Sequence, residues 1–353
     1  MATRNQSLDL LRGVAILLVV LAHCAIQAPS IVPGFAEIAK DYGPLGVQLF
    51  FIVSGYTMML TYGERTELAA AGSFYLRRVF RIVPLFWIAI AFYLAISGGE
   101  GDLFWAPGGV GLADVVLTVV FLHLSSPTAV NSVVPGGWSI AIEMQFYLLF
   151  PFVIRLFRQP NGPAICYAAI ALMSAAAGTL ADLYLVPRLA ASLPPGQGYL
   201  AGAFYYCWLP RQALCFGLGI LLYDIVERRA RPWLGALLLV GACLTSLWGA
   251  QVLLLFAMSY VLLAGNVTNS VIALLGRHSY AIYLVHSAVL AVVETLLPVD
   301  LVPRVALVVG LSLALSYFLI EPLIERPFNR LGHLLAARVG KRDVVATAQI
   351  ATR

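Results

Sequence analysis

Leu8-Asp-Leu-Leu-Arg12-Gly-Val-Ala-Ile-Leu-Leu-Val-Val-Leu-Ala-His23 decides the fold. Arg12 and His23 stand in a stretch that is otherwise almost wholly apolar. Eleven residues of α-helix make about three turns, so both side chains leave the same face, roughly 16 Å apart along the axis. A cation and an imidazole on one face of a membrane-grade helix are expensive, and ionisable groups inside a bilayer mark a pathway or a site. The stretch reads as a membrane-spanning rod. Arg12 would bind an anion nearer the cytoplasm, and His23 would accept a proton deeper in.

The composition places the whole chain in the membrane. Of 353 residues, 61% are hydrophobic and 11% charged, and mean hydropathy is +0.89. A soluble domain carries about 25% charged residues. Helices are expected near 8–27, 44–62, 78–97, 138–157, 163–182, 202–223, 233–249, 251–267, 275–297 and 303–321, each approaching the roughly 20 residues that cross a bilayer. The piece 110–125 is shorter and carries Asp114 and His123, so it is expected to be partial or re-entrant. The fold class is thus all-α integral membrane, with about ten transmembrane helices plus that segment. Residues 1–335 form one membrane domain and 336–353 a frayed polar tail. The Pro/Gly-rich stretch 186–198 reads as an external loop or lid.

The charges test the topology. With ten crossings and both termini in the cytoplasm, eighteen of the 22 Lys and Arg residues fall inside, and only Lys40, Arg188 and Arg304 fall outside. A full crossing at 110–125 would invert Arg155, Arg158, Arg228, Arg229 and Arg231. The net charge of +5 therefore follows topology and does not call for nucleic acid. The first apolar segment lacks a small-residue cleavage site and reads as a retained span. The five cysteines lie in or beside apolar segments without metal-like spacing, and read as buried apolar residues. No metal is expected.

Several polar groups interrupt the apolar background. Arg77, Arg78 and Arg81 open the third helix; 77 and 81, four apart, share a face. They could be a topological anchor or a bidentate receptor for phosphates. Glu143, in Gly136-Gly-Trp138-Ser-Ile-Ala-Ile-Glu143, must be paired or protonated. It could pair with Arg211, orient a histidine, or contact an acceptor hydroxyl. Arg211 is too deep to snorkel and wants a carboxylate or an anionic ligand. His286 could be a second site histidine or a helix–helix hydrogen bond. Ser54-Gly55 permits close helix approach or leaves room for a thin ligand. There is no Gly-x-Ser-x-Gly elbow, Walker loop or His-Glu-x-x-His, so hydrolase, ATPase and metalloprotease readings have little support.

Seven segments in order resemble the acyltransferase-3 family of integral membrane O-acyltransferases. They are Leu8–Ala15 with His23; Gly46–Tyr56; Arg77–Pro84; Gly137–Tyr147; Arg211 with Phe216-Gly217; Ser279–His286; and Ile324-Glu-Arg-Pro327. The resemblance implies ten spans with both termini inside and a multi-pass protein of a bacterial inner membrane. It implies an acyl-CoA donor, usually acetyl-CoA, and a sugar or envelope-glycan hydroxyl as acceptor. Arg12 and His23 match the family's Arg-x10-His pair. Arg77, Arg78 and Arg81 match its basic motif, and Glu143 its tryptophan–serine–glutamate segment. With little sequence after residue 330, no appended SGNH domain is expected.

On this reading Arg77, Arg78 and Arg81 hold CoA phosphates, with Ser54 along the donor's path and Arg12 steadying the phosphate or the pocket below. His23 is the general base or an acyl relay, and Glu143 positions it or the sugar. Arg211, His286 and Trp138 are the candidate acceptor contacts. The rival is a proton-coupled transporter or glycan-lipid exporter, in which Arg12, His23, Glu143, Arg211 and His286 form a relay. A non-enzymatic scaffold would not need His23 at all.

Overall fold

The computed structural model describes residues 5–26, 34–62, 68–100, 104–228, 232–244, 249–297 and 299–351, and of 68–70 and 340–351 the backbone alone. Arg4, Arg65, Arg229, Arg231 and Arg353, which enter the charge asymmetry, lie outside the described residues. Among those described there are helices and no strands. The helices are α1 (Gln6–Ala25), α2 (Phe35–Tyr42), α3 (Leu45–Tyr62), α4 (Leu68–Ser97), α5 (Leu112–Val119), α6 (Gly137–Phe157) and α7 (Gly162–Leu180). Next come α8 (Val186–Ser192), α9 (Tyr199–Tyr206), α10 (Leu209–Val226), α11 (Trp233–Leu244) and α12 (Gly249–Ala264). The last four are α13 (Ser270–Arg277), α14 (Ser279–Leu296), α15 (Leu301–Leu315) and α16 (Arg326–Ala351).

Eight helical stretches are long and apolar enough to cross a membrane, and α11 and α12 are shorter apolar helices. The chain is an all-α integral membrane protein. Burial sorts the helices into centre and ring. The stretches holding α1, α3 and α10 have 67%, 78% and 72% of their apolar window buried, against 33% for α4 and 22% for Leu301–Val339. The site-bearing helices α1 and α3 are therefore central, and the lipid-facing ring carries the apolar excess.

Close helix crossings hold the centre together. A methyl group on Gly276 would stand 1.7 Å from the Asp9 carbonyl oxygen, and one on Gly13 would stand 2.0 Å from that of Ile272. These two glycines let α13 lie directly on α1. Gly55 and Gly219 do the same for α3 and α10, at 2.3 Å from the Phe216 oxygen and 2.1 Å from the Ile52 oxygen. Without a hydrophobic force between helices in lipid, such small-residue contacts supply the packing.

The structure departs from the sequence expectations at several boundaries. The helix expected over 275–297 breaks at His278, which separates α13 from α14. The expected external loop 186–198 is helical as far as Ser192, joined to α7 by a π-helical turn. The expected frayed tail 336–353 continues α16 through Ala351. Residues 110–125 form α5, eight residues long, and a 3-10 turn, too short to span. Asp114 caps α5 by accepting from Gly111 N at 2.9 Å, and Phe121 stacks on Phe86, in the middle of α4. All five cysteines are buried thiols.

Candidate functional site

One end of the bundle, where α1, α4, α13 and the π-helical stretch Ser316–Glu325 meet, opens into a cavity of about 1430 Å³. Six arginines line it, Arg12, Arg77, Arg78, Arg81, Arg277 and Arg326, against Asp9, Glu321 and Glu325. π-Helical insertions are frequent at functional sites, and this one carries both glutamates into the wall. Asp9 partly neutralises Arg12, at 3.3 Å, and Arg12 also donates to Thr57 at 2.8 Å. Arg326 pairs with Glu321. Arg78 and Arg81 differ: among the described residues no carboxylate lies within ion-pair distance of either. The Arg78 guanidinium instead lies over the Tyr147 ring, 4.8 Å from its centroid. Two planar cations without carboxylate partners at the throat of a basic vestibule suit a phosphate or another anion.

Past that throat the cavity narrows. Arg12, Thr57, Arg78, Arg81 and Tyr280 belong both to the vestibule and to an inner pocket of about 90 Å³. Helical periodicity builds its walls. On α3, Val47, Phe50, Phe51, Ser54 and Thr57 recur every three or four residues, and on α6 so do Ser139, Ile140, Glu143 and Tyr147. Glu143 accepts from the Ser54 hydroxyl at 2.7 Å and from the Tyr147 hydroxyl. Tyr283 Oη lies 2.8 Å from Ser139 Oγ at the pocket's inner wall.

Behind Tyr283 stand the two histidines. His286 Nδ1 lies 2.7 Å from the Tyr283 carbonyl oxygen. A carbonyl only accepts, so this nitrogen carries the proton, and in the neutral ring Nε2 is an acceptor. That Nε2 faces His23 Nδ1 at 3.2 Å, and His23 Nδ1 also faces the Val19 carbonyl at 2.9 Å. With two acceptors before it, His23 Nδ1 must be the protonated nitrogen. Its Nε2 is left with a free lone pair. The two ring centroids are 4.9 Å apart. This network fixes the tautomer that a base requires.

The structure thus brings Arg12, Arg77, Arg78, Arg81, Ser54 and Glu143 to one connected cavity, and His23 to His286 just beyond it. It does not bring Glu143 to His23 or to Arg211. Arg211 pairs with Asp182 instead, through two bonds of 2.9 and 3.2 Å, because α7 runs on as a π turn that carries Asp182 past α10. Trp138 lines neither the vestibule nor the inner pocket; its ring packs edge-on against Phe51 and Tyr206. Sequence reasoning passed over Tyr147 and Tyr283, although both lie in quoted motifs, because a tyrosine among apolar residues reads as core. Arg277 was passed over as a topological charge. Among the described residues no group of three or more His, Cys, Asp or Glu has metal-holding geometry.

Comparison with known proteins adds a family. The acyltransferase domain family matches residues 5–321. A protein named acyltransferase MdmB, from Streptomyces mycarofaciens, is 28% identical over 98% of this chain and 95% of its own. The exopolysaccharide production protein ExoZ of Rhizobium meliloti is 27% identical over 84% of this chain and 93% of its own. A Staphylococcus aureus protein whose name describes O-acetyltransferase activity is 24% identical over 92% of this chain and 57% of its own. No solved structure matches.

Proposed function

The chain belongs to the acyltransferase domain family, matched over residues 5–321, and from that premise we propose that it moves an acyl group from acyl-CoA to a sugar hydroxyl of a glycan. Acetyl is the simplest donor group. The observation that carries this reading is the continuity of the two cavities: Arg12, Arg78 and Arg81 line both the basic vestibule and the narrow pocket. A donor with a polyphosphate head and a thin acyl arm has that shape. The head would rest on Arg77, Arg78 and Arg81. The arm would run along Val47, Phe50 and Phe51 past Ser54.

His23 acts as the base. Its Nε2 takes the proton from the acceptor hydroxyl as that oxygen attacks the thioester carbonyl. The C–S bond then breaks, and the imidazolium returns the proton to the departing thiolate, so atoms and charge balance. Val19 and His286 hold the ring. Glu143, tied to Ser54 and Tyr147, shapes the pocket and does not touch His23. Arg12, paired with Asp9, steadies the throat. Charge asymmetry supports a vestibule facing the cytoplasm, where acyl-CoA is made, with both termini on that side. The name of ExoZ supports an envelope or extracellular polysaccharide as the acceptor class.

The test is transfer of label from acyl-labelled acetyl-CoA into glycan, using membranes that carry wild type or His23→Ala at matched expression. Label in glycan with wild type and none with the variant is the expected result, and the labelled product identifies the acceptor. Equal labelling would make His23 structural. Labelling by neither would remove the donor or the acceptor from the proposal.

A further inference from the structure

The cations of the vestibule fall into two groups. Arg12, Arg78 and Arg81 stand at the throat, where the vestibule meets the inner pocket, while Arg77, Arg277 and Arg326 line the vestibule alone. Arg277 ends α13, and Arg326 opens α16 after the π-helical stretch Ser316–Glu325, so these two come from other helices than the α4 arginines. Arg326 is neutralised by Glu321 at 3.0 Å, and Glu321 also lies 3.6 Å from His278 Nε2. Arg277 is exposed, and among the described residues no carboxylate lies within ion-pair distance of it.

An aromatic side chain accompanies this cation. His278, the residue after Arg277, has its Nδ1 2.9 Å from Ser316 Oγ, and its ring lies 5.7 Å from that of Tyr317, centroid to centroid. Tyr317 lines the vestibule and is 49% exposed. An open tyrosine often marks a lipid–water interface, and an open arginine often anchors a span. Neither habit accounts for the two together on the wall of one cavity. A phosphorylated purine nucleoside does: its base stacks on an aromatic ring, and its phosphate takes the two-pronged grip of a guanidinium.

The order of parts along acyl-CoA gives this wall a place. The acyl arm leads to the pyrophosphate, and the pyrophosphate to a ribose that carries adenine and a 3′-phosphate. With the arm in the inner pocket and the pyrophosphate at the throat, the base and the ribose phosphate fall outward, among the groups that line the vestibule alone.

We propose that Arg277 binds the 3′-phosphate of the donor and Tyr317 stacks on its adenine, which makes this wall the subsite that tells CoA from its dephospho form. The inference rests on the acyl-CoA reading and adds two residues and a selectivity to it.

The test compares acetyl-CoA with acetyl-dephospho-CoA, which differ only in that phosphate, in initial-rate label transfer. Wild type should have a KM for the dephospho donor about ten- to a hundredfold higher, the worth of a charge-assisted hydrogen bond. Arg277→Gln should bring the two KM values together by raising that for acetyl-CoA. Arg277→Lys should keep part of the preference, since the charge remains without the fork. Arg330→Gln removes an exposed α16 arginine that does not line the cavity, and should keep the full preference. Tyr317→Leu should raise both KM values alike, by about tenfold. A wild type indifferent to the phosphate, or a preference that survives Arg277→Gln, overturns the subsite, and unchanged KM values in Tyr317→Leu overturn the stacking. Equilibrium binding of labelled adenosine 3′,5′-bisphosphate and of AMP to the purified full-length protein in detergent separates the two proposals. Transfer from acetyl-CoA together with bisphosphate binding indifferent to Arg277 sinks the subsite alone. Bisphosphate binding that exceeds AMP binding and needs Arg277, without transfer from either donor, sinks the enzyme reading and leaves a nucleotide site.

Discussion

Replacing His286 by leucine probes the histidine pair directly. The wild-type His23 Nδ1–H is shared between the Val19 carbonyl at 2.9 Å and His286 Nε2 at 3.2 Å. Leucine fills much of the ring's volume and removes the second acceptor, together with the Nδ1 bond to the Tyr283 carbonyl. A neutral buried hydrogen bond contributes about 0.5–1.5 kcal/mol, and one to a charged group about 1.5–3. His23 is neutral before proton transfer and an imidazolium after it, so only the increment, about 1–1.5 kcal/mol, is felt in the barrier. That amounts to roughly a tenfold fall in kcat. Donor KM should not move, because His286 lines neither the vestibule nor the inner pocket. Glutamine, whose Oε1 can stand where Nε2 stood, should recover most of the loss. The assay is initial-rate label transfer over a range of acetyl-CoA concentrations with His286→Leu and His286→Gln. An unchanged kcat in the leucine variant, or a glutamine variant no better than leucine, would refute the assigned tautomer and leave the pair as packing. A rise in donor KM would place His286 in the donor site instead.

Other consequences concern donor binding, the pocket and the core. Arg81→Gln should raise donor KM by about ten- to a hundredfold, the loss of a charge-assisted hydrogen bond, read from the same kinetics. Arg78→Lys keeps the charge but gives up the stack on Tyr147 at 4.8 Å; a loss of about 1 kcal/mol, roughly fivefold in donor KM, is expected, and full activity would deny the stack a role. Glu143→Ala leaves the Ser54 and Tyr147 hydroxyls without their acceptor, at about 1–3 kcal/mol for each group left unpaired. A lowered melting temperature should follow, and Glu143→Gln should largely restore it. Gly276→Ala drives a methyl to 1.7 Å from the Asp9 oxygen; overpacking of this kind costs about 1–3 kcal/mol or more. The loss should appear as a reduced monodisperse fraction on size exclusion, and normal recovery would mean that α1 and α13 can move apart freely.

The membrane fold was legible because bilayer physics is written in composition. Length and apolarity fix spans, and the distribution of arginines is what argues for sides. Even the partial segment 110–125 could be found, since a full crossing there would have moved five arginines to the wrong side. Helix breaks were not legible: nothing in local propensity ends a helix at His278 or continues α7 through Asp182, and tertiary packing decides both. The same limit explains the site. Arg12, Arg78, Arg81, Ser54 and Glu143 could be nominated singly because each is expensive in lipid. Their partners depend on which helices are neighbours. Arg211 was expected beside a carboxylate and found one, Asp182, but Asp182 comes from an element that the sequence showed as the end of a span.

α1 carries Arg12 at the vestibule and His23 behind the pocket, and Gly13 and Gly276 pin it against α13. On the proposed mechanism it would serve as a gauge of fixed length. Helical rise allows about 1.5 Å per residue and no slack, so on that mechanism the distance from Arg12 at the throat to His23 would not adjust to the donor. One residue inserted between them would swing His23 about 100° out of line; four would restore its bearing but push it about 6 Å too far. Donors would then be sorted by where their carbonyl falls along this gauge more than by how tightly their tails are held. Acyl selectivity could be reset by adding or deleting chain in α1 without altering any residue that touches the donor.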